Sequence, residues 1–318
     1  MKTIPKARIL GTILSLLLLC SCATKSSTRP PLPADASINK GAGRGDFLLV
    51  MLHLKDGKEL LFAIDTGMPI TTLDSSLESK LGKCIGTNQY DYVWYGKAEN
   101  RVYTAPKLYL ANTRLVTGKW VFTDDLSRKF ITENSSGTDA DRRVWGILGM
   151  DCLENYCIQL DFAAEKMRFL DPNHLKAESL GKAFPITLSD RRIRVGETLA
   201  GVKGNSWIDT GDPNDGALVP ELFDHQLKNQ KDQKGIVTRE FKTPAGKAEI
   251  AARVPNGEFG GLIYTNLVLL KSPDENIVGL QFLARHLVTL NFPKRTMYLK
   301  QTNVGSLADG NKNKNSIP

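Results

Sequence analysis

Two short stretches carry the residue types that do acid–base chemistry. Leu60-Leu61-Phe62-Ala63-Ile64 runs into Asp65-Thr66-Gly67, and Ser206-Trp207-Ile208 runs into Asp209-Thr210-Gly211. Each is an apolar strand that delivers a carboxylate into a tight glycine turn. Such a turn can hold an acid at the floor of a cleft. Two acids brought face to face cannot both ionise cheaply, so they share a proton and serve as acid and base at one spot. One Asp-Thr-Gly alone says little, because Asp and Gly are turn residues anyway. A turn or helix-cap carboxylate is the plain reading of either copy by itself.

The company that each copy keeps raises the signal. After the first lies a stretch from Gly149 to Phe162, and after the second a stretch from Gly279 to Phe292, at a constant offset of 130. Gly149/Gly279, Leu153/Leu283, Leu160/Leu290 and Phe162/Phe292 are identical, and the match continues to Met167/Met297. Between them, Gly96-Lys97-Ala98-Glu99 is echoed by Gly246-Lys247-Ala248-Glu249, at an offset of 150, while the Asp-Thr-Gly offset is 144. Offsets that drift in this way mean insertions and deletions in surface loops. The pattern predicts an internal duplication of a unit of roughly 125 residues.

Each unit resembles one lobe of an aspartic protease of the retropepsin-like kind found as single chains in bacteria. The shared pattern is Asp-Thr-Gly after an apolar strand, then two apolar residues and a Gly, a short helix and a final hairpin. Ile147-Leu148-Gly149 and Ile277-Val278-Gly279 supply the second element. The resemblance covers about residues 44 to 302. It implies an all-β, bilobal fold of two duplicated retropepsin-like β-barrel lobes with short helices. It also implies an aspartic endopeptidase with Asp65 and Asp209 as catalytic acids, acting on a peptide or protein substrate as a monomer and without a cofactor. Thr66 and Thr210 would cross-link the two loops, and Gly67 and Gly211 would let backbone approach the acids. A hairpin flap would close over the cleft, with its turns near Gly96 and Gly246. Tyr92, Trp94 and Tyr95 would line a substrate groove or, equally, pack within the sheet. Two departures stand out. Met68-Pro69 follows the first motif where the family has Ser or Ala, and the second is followed by the acidic Asp212-Pro213-Asn214-Asp215-Gly216. A non-catalytic peptide-binding protein on the same fold is therefore an alternative. So is a protease in which each lobe pairs with another chain.

Residues 1–21 read as an export signal, with Lys2, Lys6 and Arg8 ahead of an apolar stretch too short to span a bilayer. It closes on Leu19-Cys20-Ser21-Cys22, which resembles a bacterial lipobox. Cys22 is then the lipidated residue, or a bystander of ordinary cleavage. Lipidation would tether the protein to the cell envelope, and by analogy to the outer membrane, facing the periplasm or the exterior. Residues 22–45 read as a flexible tether, 46–172 and 184–302 as the two lobes, 171–183 as the link between them, and 303–318 as a disordered tail.

The chain has 318 residues and a formal charge of +8, or +5 without the signal, with no block of like charges. Nucleic acid is not an expected partner. Cys84, Cys152 and Cys157 are either buried thiols or, for Cys84, one end of a bridge. The histidines at 53, 174, 225 and 286 have no metal-site spacing, and no metal is expected. Strands are expected at 47–54 and 59–64 as a hairpin, and at 89–95 and 101–103 around Gly96. Further hairpins are expected at 158–162 with 166–170 and at 288–292 with 296–300. A short helix capped by Asp74 is expected within 71–81. The polar stretch 124–143 reads as a surface excursion.

Overall fold

A computed structural model of the chain describes residues 31–92, 96–128, 143–230, 235–243, 246–305 and 307. The signal, Cys22, Trp94, Tyr95 and most of the 124–143 excursion lie outside them.

The chain is mostly β, in two large sheets. The first half runs through β1 (Ala36–Ser37), β2 (Leu49–Leu54), β3 (Glu59–Ile64), β4 (Thr72–Asp74), β5 (Gly86–Tyr92) and β6 (Gly96–Thr104). It continues through β7 (Leu108–Leu110), β8 (Thr113–Arg114), β9 (Trp120–Asp124), β10 (Val144–Leu148), α1 (Met150–Leu153), β11 (Cys157–Asp161) and β12 (Lys166–Leu170). The second half runs through β13 (Lys182–Ser189), β14 (Arg192–Glu197), β15 (Lys203–Asp209), β16 (Gly216–Leu218), α2 (Pro220–Lys228) and β17 (Val237–Lys242). It ends with β18 (Ala248–Phe259), β19 (Leu262–Lys271), β20 (Asn276–Gly279), α3 (Leu280–Leu283), β21 (His286–Asn291) and β22 (Thr296–Gln301).

One sheet has the order β5-β6-β9-β4-β10-β3-β2-β7-β8. The other has the order β1-β12-β11-β21-β22-β13-β14-β15-β20-β16-β19-β18-β17. Seven strands of the first, β5 to β2, recur in the second as β17-β18-β19-β16-β20-β15-β14. Their senses recur too. β3 and β10 are parallel, as are β15 and β20, and β4 with β9 is parallel, as is β16 with β19.

β3 is central in its sheet, paired with β2 on one side and β10 on the other. Its Leu60, Phe62 and Ile64 are at most 3% exposed. A continuous apolar run is what a strand covered on both faces needs. The expected hairpins form as β2–β3, β11–β12 and β21–β22. The short helix near 71–81 is a 3-10 turn at Ser75–Lys80, capped by Asp74, which accepts a bond from the Ser76 N–H.

Two boundaries differ from the expected ones. Residues 36–45 were expected as tether, yet β1 pairs with β12, and Ala36, Ile38 and Ala42 are buried. Residues 303–305 belong to the packed body as well, since the Val304 carbonyl accepts from Thr265 N–H and Arg285 Nη1. In addition, β11 and β12, from the first half, lie in the same sheet as the second half. β11 pairs antiparallel with β21, and Gln159 faces Thr289 with Nε2 donating to Oγ1 at 3.0 Å. These two positions are equivalent in the sequence repeat, so the repeat meets itself there.

Candidate functional site

The residues after β3 and β15 meet each other. Thr66 N–H donates to Thr210 Oγ1 at 3.0 Å, and Thr210 N–H donates to Thr66 Oγ1 at 3.1 Å. The Thr66 hydroxyl donates to the Ile208 carbonyl at 2.6 Å, and that of Thr210 donates to the Ile64 carbonyl at 2.8 Å. Every one of these four bonds crosses from one half of the chain to the other. Both threonines are 1% exposed, so water cannot replace the bonds.

This lock brings Asp65 and Asp209 together, each carboxyl beside the glycine of the opposite loop. Asp65 Oδ1 accepts from the N–H groups of Gly67 and Met68 at 2.7 and 3.1 Å. Asp209 Oδ1 accepts from Gly211 N–H at 2.8 Å. Each glycine packs against the opposite acid. A Cβ on Gly67 would sit 2.6 Å from Asp209 Cγ, and one on Gly211 would sit 2.5 Å from Asp65 Cγ. Any side chain at either place would push the opposite carboxyl aside.

Both aspartates keep part of their surface open, while protein atoms crowd their carboxyl groups. Burial first, and then the charge of Asp209, pushes the Asp65 carboxyl well above the usual carboxylate range. Burial also raises Asp209, while the Gly211 N–H, the neighbouring Asp65 carboxyl and the positive charge of Arg192 pull the other way. Two raised carboxyls this close share one proton between them. Such a pair can take a proton and give one in the same event.

The expected flap turns are both hairpin turns. β5–β6 pairs Tyr92 with Gly96, which has φ +74°, and Gly246, with φ +79°, lies between β17 and β18. The Tyr92 hydroxyl accepts from Asn100 Nδ2 at 3.0 Å, and its ring packs with Met68, Leu126 and Ile147. The residue near the acids is Tyr90, which sequence reasoning passed over. Burial, and then the charge of Asp65, pushes its hydroxyl up to about 12, and Asp209 adds to this. The strand alternation that exposes Tyr92 as a candidate also put Tyr90 on the same face, and that was the signal available.

The two departures are also placed. Met68 is buried in the apolar cluster under the hairpin. Asp212 is 5% exposed, and its Oδ1 accepts from the Asn214 backbone N–H and side-chain amide, both at 3.0 Å. Burial, and then the charge of Asp209, raises it to about 7. It is a third carboxyl close to the pair.

Comparisons with known proteins supply no family. No family model matches the chain, and a search of the curated proteins finds no match. Cys84, Cys152 and Cys157 are free thiols, the last two buried. Among the described residues no group of three or more His, Cys, Asp and Glu side chains is placed to hold a metal ion.

Proposed function

We propose that the chain is a retropepsin-like aspartic endopeptidase, whose two halves are the lobes of a duplicated unit and whose peptide-bond chemistry runs between Asp65 and Asp209. The observation that carries this reading is the approach of two acids from equivalent loops, each beside the other's Asp-Thr-Gly glycine, set by the reciprocal threonine lock. The repeated seven-strand order and the paired hairpins at β11–β21 support it.

In this reading a water molecule gives a proton to Asp209 as its oxygen bonds to the carbonyl carbon. Asp65 gives its proton to the carbonyl oxygen, which leaves a tetrahedral diol. Asp209 then passes the proton to the amide nitrogen and the C–N bond breaks. One diol hydroxyl returns its proton to Asp65, giving an acid and an amine from one water and one amide. No covalent intermediate or cofactor is needed. Both acids come from one chain, so a monomer suffices. Cys22 would tether the enzyme by lipid to the cell envelope, at the outer membrane.

Asp65→Asn and Asp209→Asn test it. Each is expected to lower peptide hydrolysis at least about 1000-fold while circular dichroism stays native, and a statine-type mimic of the diol is expected to inhibit the wild type. Variants that cleave at the wild-type rate would sink the proposal. The second reading, peptide binding without turnover, draws on the buried Asp212 carboxyl beside Asp209. It predicts peptide binding with no cleavage from acidic to neutral pH.

A further inference from the structure

The strands that deliver the two acids present unlike side chains next to them. Side chains alternate along a strand, so residue −2 shares the face of each Asp, about 7 Å away. Before Asp65 that residue is Ala63, and before Asp209 it is Trp207. The neighbouring strand completes each wall. β2 pairs Leu49 with Ala63, and its register carries Phe47 opposite Asp65. β14 pairs Arg194 with Trp207, and its register carries Arg192 opposite Asp209. One wall is thus apolar, with Leu49 and Ala63 buried in a cluster with Val144, Leu61 and Phe47. The other is cationic.

The guanidinium carbons of Arg192 and Arg194 lie 4.1 and 3.8 Å from the Trp207 ring centroid. Each cation lies over the ring at cation–π distance, and its N–H groups can still fork onto a carboxylate. Among the described residues Arg192 has one ion-pair partner. It is Glu275, at 3.7 Å, beyond a hydrogen bond. Arg194 has no ion pair or hydrogen bond of its side chain among the described residues, so two cations share one loosely held acid. Arg192 belongs to the site, because Tyr90 of the β5–β6 hairpin feels the charges of Asp65, Arg192, Asp209 and Glu275 together, and Arg194 shares its Trp207 ring.

We infer that the substrate is a peptide with a carboxylate one or two residues from the scissile bond, gripped over Trp207 by Arg192 and Arg194, and an apolar residue on the other side against Phe47, with Leu49 and Ala63 packed behind it. The inference rests on the peptidase reading for the scissile bond, but not for the grip. The reach follows from spacing. An extended peptide advances by the same 3.3–3.4 Å or so per residue as the strands beneath it. The carboxylate belongs to a Glu or Asp side chain or to a free chain end.

The test uses full-length Asp65→Asn protein, which keeps Asp209 and the loop shape, and fluorescent peptides that differ only by Glu, Gln or Lys at each of two places on either side of the scissile bond. Each is made with a free and an amidated C terminus. In about 50 mM salt, Glu is expected to bind roughly 10-fold tighter than Gln on one side only, with Lys weaker still, and about 0.5 M salt should shrink the gap. Arg194→Gln and Arg192→Gln should each reduce the gap to about 3-fold or less, with Arg194→Lys restoring part of it. A preference that follows the free C terminus in place of the side chain identifies the chain end as the source of the carboxylate. Equal binding of Glu, Gln and Lys peptides, or no binding of any, overturns the inference. Wild type that cleaves all three equally overturns it too and leaves the peptidase reading standing. A charge preference in binding with no cleavage by wild type does the reverse.

Discussion

Asp65 and Asp209 stand on matching loops, but each loop is braced from behind in its own way. In the first half, Thr71 and Asp151 form the brace. Thr71 N–H and Oγ1 both donate to Asp151 Oδ1 at 2.7 Å, and Gly118 N–H donates to its Oδ2 at 3.1 Å. In the second half the acid sits on the other element. Asp215, at the position equivalent to Thr71, accepts from Val268 N–H at 2.7 Å and from Arg285 Nη2 and Nε at 2.7 and 3.1 Å. Arg285 is 0% exposed, and its remaining donors go to the carbonyls of Thr265, Asn266 and Val304. The first brace is a carboxylate fed by neutral donors, and the second is a buried ion pair. The tips can match because only they touch each other. The braces have no counterpart to meet, so each was free to reach the same backbone shape by different chemistry.

The largest effect should separate the braces. Arg285→Met leaves Asp215 charged and buried with one donor, and is expected to cost about 3–5 kcal/mol in urea unfolding. Asp151→Asn removes a charge that has no buried cation, and should cost about 1–2 kcal/mol. Equal losses would mean that the two braces work alike.

A second difference between the loops is Asp212, which the first half replaces with Met68. Its raised folded value of about 7 against an ordinary unfolded one means that the folded state binds its proton more tightly. That contribution is full below about pH 4 and is lost as pH rises through about 7. Asp212→Asn keeps the acceptor for Asn214 and does not titrate. Relative to wild type it should therefore gain about 4 kcal/mol of stability between pH 4 and pH 8. Thermal melts at the two ends measure this, and a flat difference would remove Asp212 from the list of buried acids.

The smallest effect sharpens what the two loops have in common. Thr66→Ala strips partners from Thr210 N–H and the Ile208 carbonyl, and Thr210→Ala does the mirror-image damage. Each should cost about 2 kcal/mol, and the double variant should fall short of the sum by about 1 kcal/mol, since breaking either pair of bonds loosens the loops that hold the other pair. Full additivity would mean that the lock is two separate caps.

Much of this was legible in the residues. A run of apolar residues ending in Asp-Thr-Gly fixes a buried strand and a turn without further context, and the doubled motif with Gly149 and Gly279 points to the pairing of halves. Tether and tail were misjudged because composition cannot see a partner. Gly41, Gly43 and Gly45 look like linker residues, yet Gly43, at φ +68°, lies against Ala284, and a Cβ there would be 2.1 Å from the Ala284 Cβ. The Arg194–Trp207 stack depends on register between strands, and the Asp215–Arg285 pair spans 70 residues. Neither leaves a local trace. Tyr90 and Tyr92 differ by one pleat repeat, so the choice between them needed the hairpin's tilt.

The threonine lock also sets a timetable. Each of its bonds joins residues more than 140 positions apart, so a chain emerging from the ribosome can finish the first Asp-Thr-Gly loop only after the second has been made and folded. Until then no acid has its partner, and the unfinished protein passes through synthesis with its chemistry unassembled.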